Sequence, residues 1–161
     1  MGFVFLIAVS ALAHKGEHHG DQKKEEEPVD ASSLEEKLLQ KLNEEYVANV
    51  KPIFQRSCMN CHSTNVDYPW YHILPGAKQL IDYDVTEAKV HLDMTKDFPF
   101  GGHGTPLEDL EAIQSSLEKG TMPPFRYRAM HWSSRIGTDD LGTIQTWIKT
   151  GLAELRSLKT K

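Results

Sequence analysis

The residues with the clearest chemical meaning are two cysteines and a histidine near the middle of the chain. Cys58, Cys61 and His62 form the pattern Cys-x-x-Cys-His, and the 161 residues contain no other cysteine. This spacing is typical of covalent haem attachment, in which two thiols add across the vinyl groups of one haem edge and the adjacent imidazole binds the iron. The sequence therefore predicts one covalent haem c with His62 as an axial ligand.

Two other chemistries use a Cys-x-x-Cys pair, and both fit this chain less well. A zinc site needs four ligands, and no second cysteine pair is present to complete one. A thioredoxin-like redox pair belongs to a βαβ context, which the sequence does not show. With two cysteines only, a disulfide framework is excluded as well.

The second axial ligand of the iron has to come from the remaining methionines and histidines. Met122 follows Gly120 and precedes Pro123-Pro124, and the two prolines stiffen the backbone so that the sulfur is presented from a loop. We predict Met122 as the second metal ligand beside His62. His131 is the main competitor, and a simple packing role for Met122 stays open. We expect the other histidines of this part to be surface or hydrogen-bonded residues: His72, His91 and His103.

Helices must position these groups. Capping-box spacing in Ser32–Glu36 predicts a helix that leads into the cysteine motif, with Pro52 either kinking it or starting a second helix. Thr105–Glu108 and Thr138 predict two later helix starts. A turn-rich stretch after His62 contains only a short apolar segment around Leu80 and Ile81. Because no run alternates as a strand does, we predict an all-α fold.

The N-terminal part differs in composition from the rest. Residues 1–13 hold an apolar run of twelve residues, Gly2–Ala13, which is shorter than the about 20 that a membrane span needs. We interpret it as a signal peptide or, if uncleaved, an N-terminal anchor. Residues 14–31 are charged and His-rich and predict a disordered tether, and residues 32–161 form the haem domain. A periplasmic or other extracytoplasmic location follows, with tethering to the membrane if the run is retained.

The formal net charge of −5 is concentrated before the predicted domain, since residues 14–50 hold ten acidic and five basic residues. Nucleic acid is excluded as a partner because no basic face of the required size appears. The expected partner is a redox protein or a membrane complex. One stretch, from Lys119 to Thr138, has four basic residues and no acidic one, which favours an acidic partner: Lys119, Arg126, Arg128 and Arg135.

From about Val50 to Leu155, the chain resembles the small bacterial single-haem domains known as the haem-binding domain, which are close in build to class I cytochromes c. The matching stretches are Val50–Phe54, the Cys-x-x-Cys-His motif, Tyr68–Tyr71 with Pro75, Gly120–Pro124 with Tyr127 and His131, and Leu141–Ile148. The resemblance implies a class I cytochrome c-like helical domain wrapped around one covalent haem.

The resemblance also implies roles for residues outside the motif. The backbone near Pro75 would accept a hydrogen bond from the far nitrogen of His62 and so orient the ring. Tyr127 would bind the haem, and so would Trp70 unless it belongs to ordinary aromatic core. The neighbouring aromatic residues would pack on the porphyrin or bind its propionates, or else form ordinary core: Tyr68, Tyr71 and Trp147.

These expectations point to electron transfer. A haem whose two axial positions are filled by the protein binds oxygen or peroxide poorly but moves single electrons well. We therefore predict an electron-transfer protein without enzymatic activity. Two alternatives stay open: a haem-bearing subunit of a membrane respiratory or photosynthetic complex, and a peroxidase-like or gas-binding haem protein in which Met122 is unbound.

Overall fold

The computed structural model describes residues 31–160, and helices make up most of this range. The prediction of an all-α fold is confirmed, since the only β-type pairing within residues 31–160 is one antiparallel bridge between Asp93 and Gly101. Residues 1–13 and nearly all of the predicted tether lie outside the described residues. Within the described part, no helix combines the length and the apolar character that crossing a membrane requires.

Seven α-helices occur in the described range: α1 (Ala31–Glu45), α2 (Lys51–Ser57), α3 (Met59–His62), α4 (Ala77–His91), α5 (Pro106–Glu118), α6 (Phe125–Met130) and α7 (Thr138–Lys159). A π-helical segment, Tyr46–Val50, joins α1 to α2. Two short 3-10 turns lie at Trp70–Ile73 and Trp132–Ser134.

The junction between α1 and α2 shows how the chain accommodates Pro52. Proline has no amide hydrogen and clashes with the preceding turn of a regular helix. Here the turn before it is widened, because the Lys51 amide donates to the carbonyl oxygen of Tyr46, five residues back. Pro52 then lies in the first turn of α2, where a proline is tolerated. Of the two predictions made for Pro52, the start of a new helix is the one observed.

The two later helix starts are confirmed, and their caps have the predicted chemistry. At α5, Thr105 Oγ1 accepts from the Glu108 amide at 3.4 Å while Glu108 Oε2 accepts from the Thr105 amide at 2.8 Å. At α7, Asp139 and Asp140 lie in the first turn, and Asp140 Oδ2 accepts from the Gly137 amide at 3.3 Å. Both helices are therefore capped at their N-termini.

The expectation of only a short apolar segment around Leu80 and Ile81 is wrong. Both residues belong to α4, which has 15 residues and of which only Val85 is buried. Its other large apolar side chains are spread around the helix, and Leu80 and Tyr83 are exposed. A single buried stripe, the usual sequence signal of a helix, is therefore weak in α4.

The core lies where α1, α2, α5 and α7 meet. At its centre is a cluster of five buried aromatic rings: Tyr46, Phe54, Phe98, Phe100 and Trp147. Close approach of the helices depends on Gly151, because a Cβ at that position would come within 2.6 Å of Leu110 Cδ1. The core thus fixes α2, and with it the attachment motif that follows, relative to α5.

Candidate functional site

A cavity of about 740 Å³ lies beside the core and has mainly apolar walls. Its lining includes Phe54, Cys58, Cys61 and His62 from the region of α2 and α3, Ile81, Val85 and Ala88 from α4, Ala112, Ile113 and Leu117 from α5, and Met122, Pro123, Tyr127 and His131 from the segments that follow. The volume falls within the usual range for small-molecule and cofactor sites, about 300–1,000 Å³. Four of the predicted ligands and attachment residues therefore share one cavity.

The attachment motif sits at a break between two helices. Cys58 has non-helical backbone angles (φ −125°, ψ −44°), and α3 starts directly after it. The amides of Cys61 and His62 both donate to the Cys58 carbonyl oxygen at 3.1 Å, which folds the motif into one tight turn. Burial raises the pKa of Cys58 to about 12 and also raises the pKa of Cys61. Both groups are therefore neutral thiols at neutral pH.

The His62 ring is oriented by a backbone carbonyl. Its Nδ1 lies 2.8 Å from the carbonyl oxygen of Leu92, just beyond the end of α4. The His62 carbonyl oxygen in turn accepts from the Met94 amide at 2.6 Å, so the same loop holds the residue at two points. The expected partner was the backbone near Pro75, and the structure assigns this contact to Leu92 instead. The physical reason is that α4 separates Pro75 from the loop that reaches His62.

Asn60, between the two cysteines, has a role that the sequence analysis missed. Its Oδ1 accepts from the Asp67 amide at 2.6 Å, and its Nδ2 donates to the Asp67 carbonyl oxygen and to the Tyr127 hydroxyl, both at 3.2 Å. Asn60 therefore links the attachment motif to α6 and closes the loop after His62. The sequence gives no signal for this contact, because an asparagine at a variable motif position has no preferred partner.

Both candidates for the second axial ligand line the cavity. Met122 is 43% exposed and lies in the loop between α5 and α6. The His131 ring stacks on the Tyr127 ring, with 4.1 Å between the ring centroids, and its Nδ1 contacts the Tyr127 carbonyl oxygen at 3.1 Å. His131 is thus already engaged by Tyr127, whereas no polar contact holds the Met122 sulfur among the described residues.

The predicted aromatic contacts divide into three groups. Tyr71 and Tyr127 line the cavity. Trp147 is buried in the core, where its Nε1 donates to the Leu42 carbonyl oxygen at 3.0 Å, so the alternative of ordinary core describes it. Trp70 and Tyr68 are 77% and 46% exposed, and neither of them lines the cavity. Pro75 does not line it either. The position of Trp70 outside the cavity lining therefore does not support the haem contact expected for it.

The basic stretch after α5 is partly neutralised. Arg126 forms two hydrogen bonds to Asp84 on α4, at 2.7 and 2.5 Å, and also lines the cavity. The guanidinium of Arg135 lies 3.8 Å from the centre of the Trp132 ring. This cation–π contact does not neutralise the positive charge of Arg135. Within residues 31–160, Arg126 is the one of the four basic residues of this stretch that forms an ion pair with a carboxylate.

The residues of the cavity fit a haem. Two thiols at one turn, an oriented imidazole and a thioether are the donor set that a covalently attached, six-coordinate haem requires. The apolar walls suit the faces of a porphyrin. Within residues 31–160, no group of three or more His, Cys, Asp and Glu residues forms another metal site.

Comparison with curated proteins reveals a relative that is an enzyme. The chain is 29% identical over 141 residues to the cytochrome c peroxidase Ccp of Escherichia coli (strain K12). The match covers 85% of this chain but only 28% of the relative. No solved structure matches the chain.

This relative corrects the prediction that the chain has no enzymatic role. A cytochrome c peroxidase is an enzyme, and most of this chain is similar to a part of one. The prediction of a non-enzymatic protein is therefore wrong. It rested on the expectation that the protein fills both axial positions of the haem iron.

The comparison with protein families agrees with the chemistry of the cavity. The haem-binding domain family matches residues 17–150, which is most of the chain and includes every residue of the cavity described above. The chain therefore belongs to the haem-binding domain family.

Proposed function

We propose that this chain is a haem c domain that delivers single electrons to a peroxide-reducing centre. The observation that carries the proposal is that two thiols, an imidazole and a thioether line one cavity of about 740 Å³. Cys58 and Cys61 would hold one haem through thioether bonds, and His62 and Met122 would bind its iron. Bound in this way, the haem supplies one-electron chemistry at a potential that methionine ligation raises.

His62 is suited to its role by its contact with Leu92. A carbonyl oxygen can only accept, so Nδ1 carries the hydrogen and donates it, which leaves the lone pair on Nε2. Burial lowers the pKa of His62, and the ring is therefore neutral near neutral pH. These two features support Nε2 as the iron ligand.

Met122 is the better candidate for the opposite ligand. Pro123 and Pro124 keep its loop out of the helix that starts at Phe125. His131, the alternative, already donates from Nδ1 to the Tyr127 carbonyl oxygen and stacks on that ring. This hydrogen bond leaves Nε2 of His131 free, as in His62, so the preference for Met122 rests on its proline-held loop and on the lack of a polar contact to its sulfur among the described residues.

Delivery to a peroxide-reducing centre is supported by the relative. That protein is named a cytochrome c peroxidase, and the match covers about a quarter of its length, so about three quarters of it has no counterpart in this chain. An electron-supplying domain is the role that a haem domain of this size would play beside such a remainder. Because haem c is attached outside the cytoplasm, we propose an extracytoplasmic location.

A second candidate is that the haem of this chain reduces peroxide itself. The name of the relative favours it. It requires an open iron position, and so requires that neither Met122 nor His131 stays bound.

Rapid mixing separates the two candidates. The matured protein is reduced, freed of reductant, and mixed with hydrogen peroxide, with and without a purified bacterial cytochrome c peroxidase. We expect rapid reoxidation only when the peroxidase is present. Rapid reoxidation by peroxide alone supports the second candidate, and slow reoxidation in both mixtures contradicts electron delivery.

A further inference from the structure

Asp109 is a buried carboxyl group that the proposed haem site has not used so far. It lies near the start of α5, is 3% exposed and lines the cavity. Its Oδ2 atom is buried and has no hydrogen-bond partner among the described residues. Buried polar atoms in native proteins nearly always have a partner, so this oxygen indicates a group that occupies the cavity.

The loop before α5 fixes the position of this carboxyl group. A Cβ at position 104 would overlap Asp109 Oδ1, so glycine is the residue that leaves room for it. The Asp109 amide donates to the Thr105 carbonyl oxygen at 2.9 Å, and Gly104 lines the same cavity. The carboxyl group is therefore held between Gly104 and the cavity.

The charged groups on the surrounding elements leave Oδ2 without a cation. Glu108 lies on the same helix, and His103 lies in the preceding loop, where it is hydrogen-bonded to His91 of α4 at 2.8 Å. On α7 the charged groups are Lys159 and Arg156, and Arg156 pairs with Glu111. By contrast Asp84, another carboxylate of the cavity wall, is satisfied by Arg126. Unlike Asp84, Asp109 thus has no ion-pair partner among the described residues.

Its surroundings favour the protonated form. Burial, together with the charge of Glu108, raises the pKa of Asp109 to about 6, while His103 has the opposite effect. A carboxyl group with this pKa is partly protonated near neutral pH. In that form it can donate a hydrogen bond to an anion as well as accept one.

A haem carries two propionate groups, whose carboxylate oxygens accept hydrogen bonds and need donors from the protein or from solvent. We propose that Asp109 binds a haem propionate by sharing a proton with it, and that the pair takes up a proton from solvent when the iron is reduced. The inference rests on the proposed function, since a one-electron donor protein supplies the electron. One electron enters the iron and one proton enters the pair, and both leave on oxidation.

The direction of the coupling follows from electrostatics. Reduction removes one positive charge from the iron, so a nearby carboxyl pair binds its proton more tightly in the reduced protein. The reduction potential must then fall as the pH rises, between the pKa values of the oxidised and the reduced forms. With one proton for each electron, the limiting slope is about 59 mV for each tenfold change in proton concentration.

The test is a potentiometric titration of the matured full chain, from about pH 5 to about pH 8, where a carboxyl group of raised pKa titrates. We expect a falling potential in the natural protein and a flat one in Asp109→Asn. The matched control is Glu111→Gln, an exposed carboxyl of the same helix that does not line the cavity, and it should keep the slope.

A pH-independent potential of the natural protein overturns the inference, as does a slope that survives in Asp109→Asn. If Asp109→Asn does not mature, infrared difference spectra of the natural protein decide. A protonated carboxyl band that gains intensity on reduction supports the inference, and its absence overturns it. A protein that cannot be reduced and reoxidised by one electron contradicts the proposed function instead.

Discussion

Helices α2 and α5 have the core on one side and the cavity on the other, and the two sides differ in what fills the space beside the helices. On the core side, aromatic rings fill the space between the helices, with centroids as close as 5.2 Å for Tyr46 and Phe100, and α7 buries six residues there. On the cavity side, α4 buries only Val85, and a cavity of about 740 Å³ lies among α4, α5, the attachment motif and the Met122 loop. The chain itself thus fills the core, whereas we propose that a haem fills the other side.

The largest effect is expected when the haem is prevented from binding. In a Cys58→Ala/Cys61→Ala variant, we expect no covalent haem and loss of protection in α4, since its inward residues then face water. Helices α1 and α7 should stay protected. Amide hydrogen exchange of the variant and of the matured protein measures the protection of each helix. Equal protection of α4 in the two proteins would contradict the proposal that a haem fills the cavity side.

The core side is tested by two tryptophans. Trp147→Ala should lower the free energy of unfolding by about 3–5 kcal/mol, because it removes a large buried side chain and leaves a cavity. Trp70→Ala is the matched control and should change it by less than about 0.5 kcal/mol, since Trp70 is exposed. Denaturant unfolding of both matured variants gives these values. A large loss in Trp70→Ala would mean that this side chain packs on the haem after all.

Within the cavity, the axial ligands can be separated. Met122→Ala should keep the covalent haem but become high-spin or recruit His131, and its potential should fall because the sulfur that favours ferrous iron is lost. His131→Ala should keep the ligand-field spectrum of the natural protein. Optical spectra and potentiometry measure both variants. A changed spin state in His131→Ala with none in Met122→Ala would reverse the ligand assignment.

The smallest effect is expected from surface charge. Reversal of Lys119 and Arg135 to Glu should slow electron transfer to an acidic partner and reduce its dependence on salt, which screens charges beyond about 10 Å at 0.1 M. Reversal of Arg126 should perturb the haem site as well, because Arg126 lines the cavity and pairs with Asp84. Stopped-flow rates at rising ionic strength measure this, and a rate independent of salt would argue against an acidic partner.

The same division explains what could be predicted from sequence. The helix starts at Thr105 and Thr138 were found because a cap is local, and the core helices were found because their apolar residues share one face. Helix α4 was missed because several of its inward residues line the cavity, so that it lacks the usual buried stripe. The contact between His62 and Leu92 was missed because a backbone carbonyl carries no residue-specific signal.

The central claim is that one haem is covalently bound in this cavity through Cys58 and Cys61. Mass spectrometry of the intact, denatured protein after maturation, followed by sequencing of its proteolytic peptides, tests it most directly. The account predicts the mass of one haem added to the chain, located on the peptide that holds Cys58, Cys61 and His62. A polypeptide mass without haem, or a haem that extracts freely with acid and acetone, would contradict it.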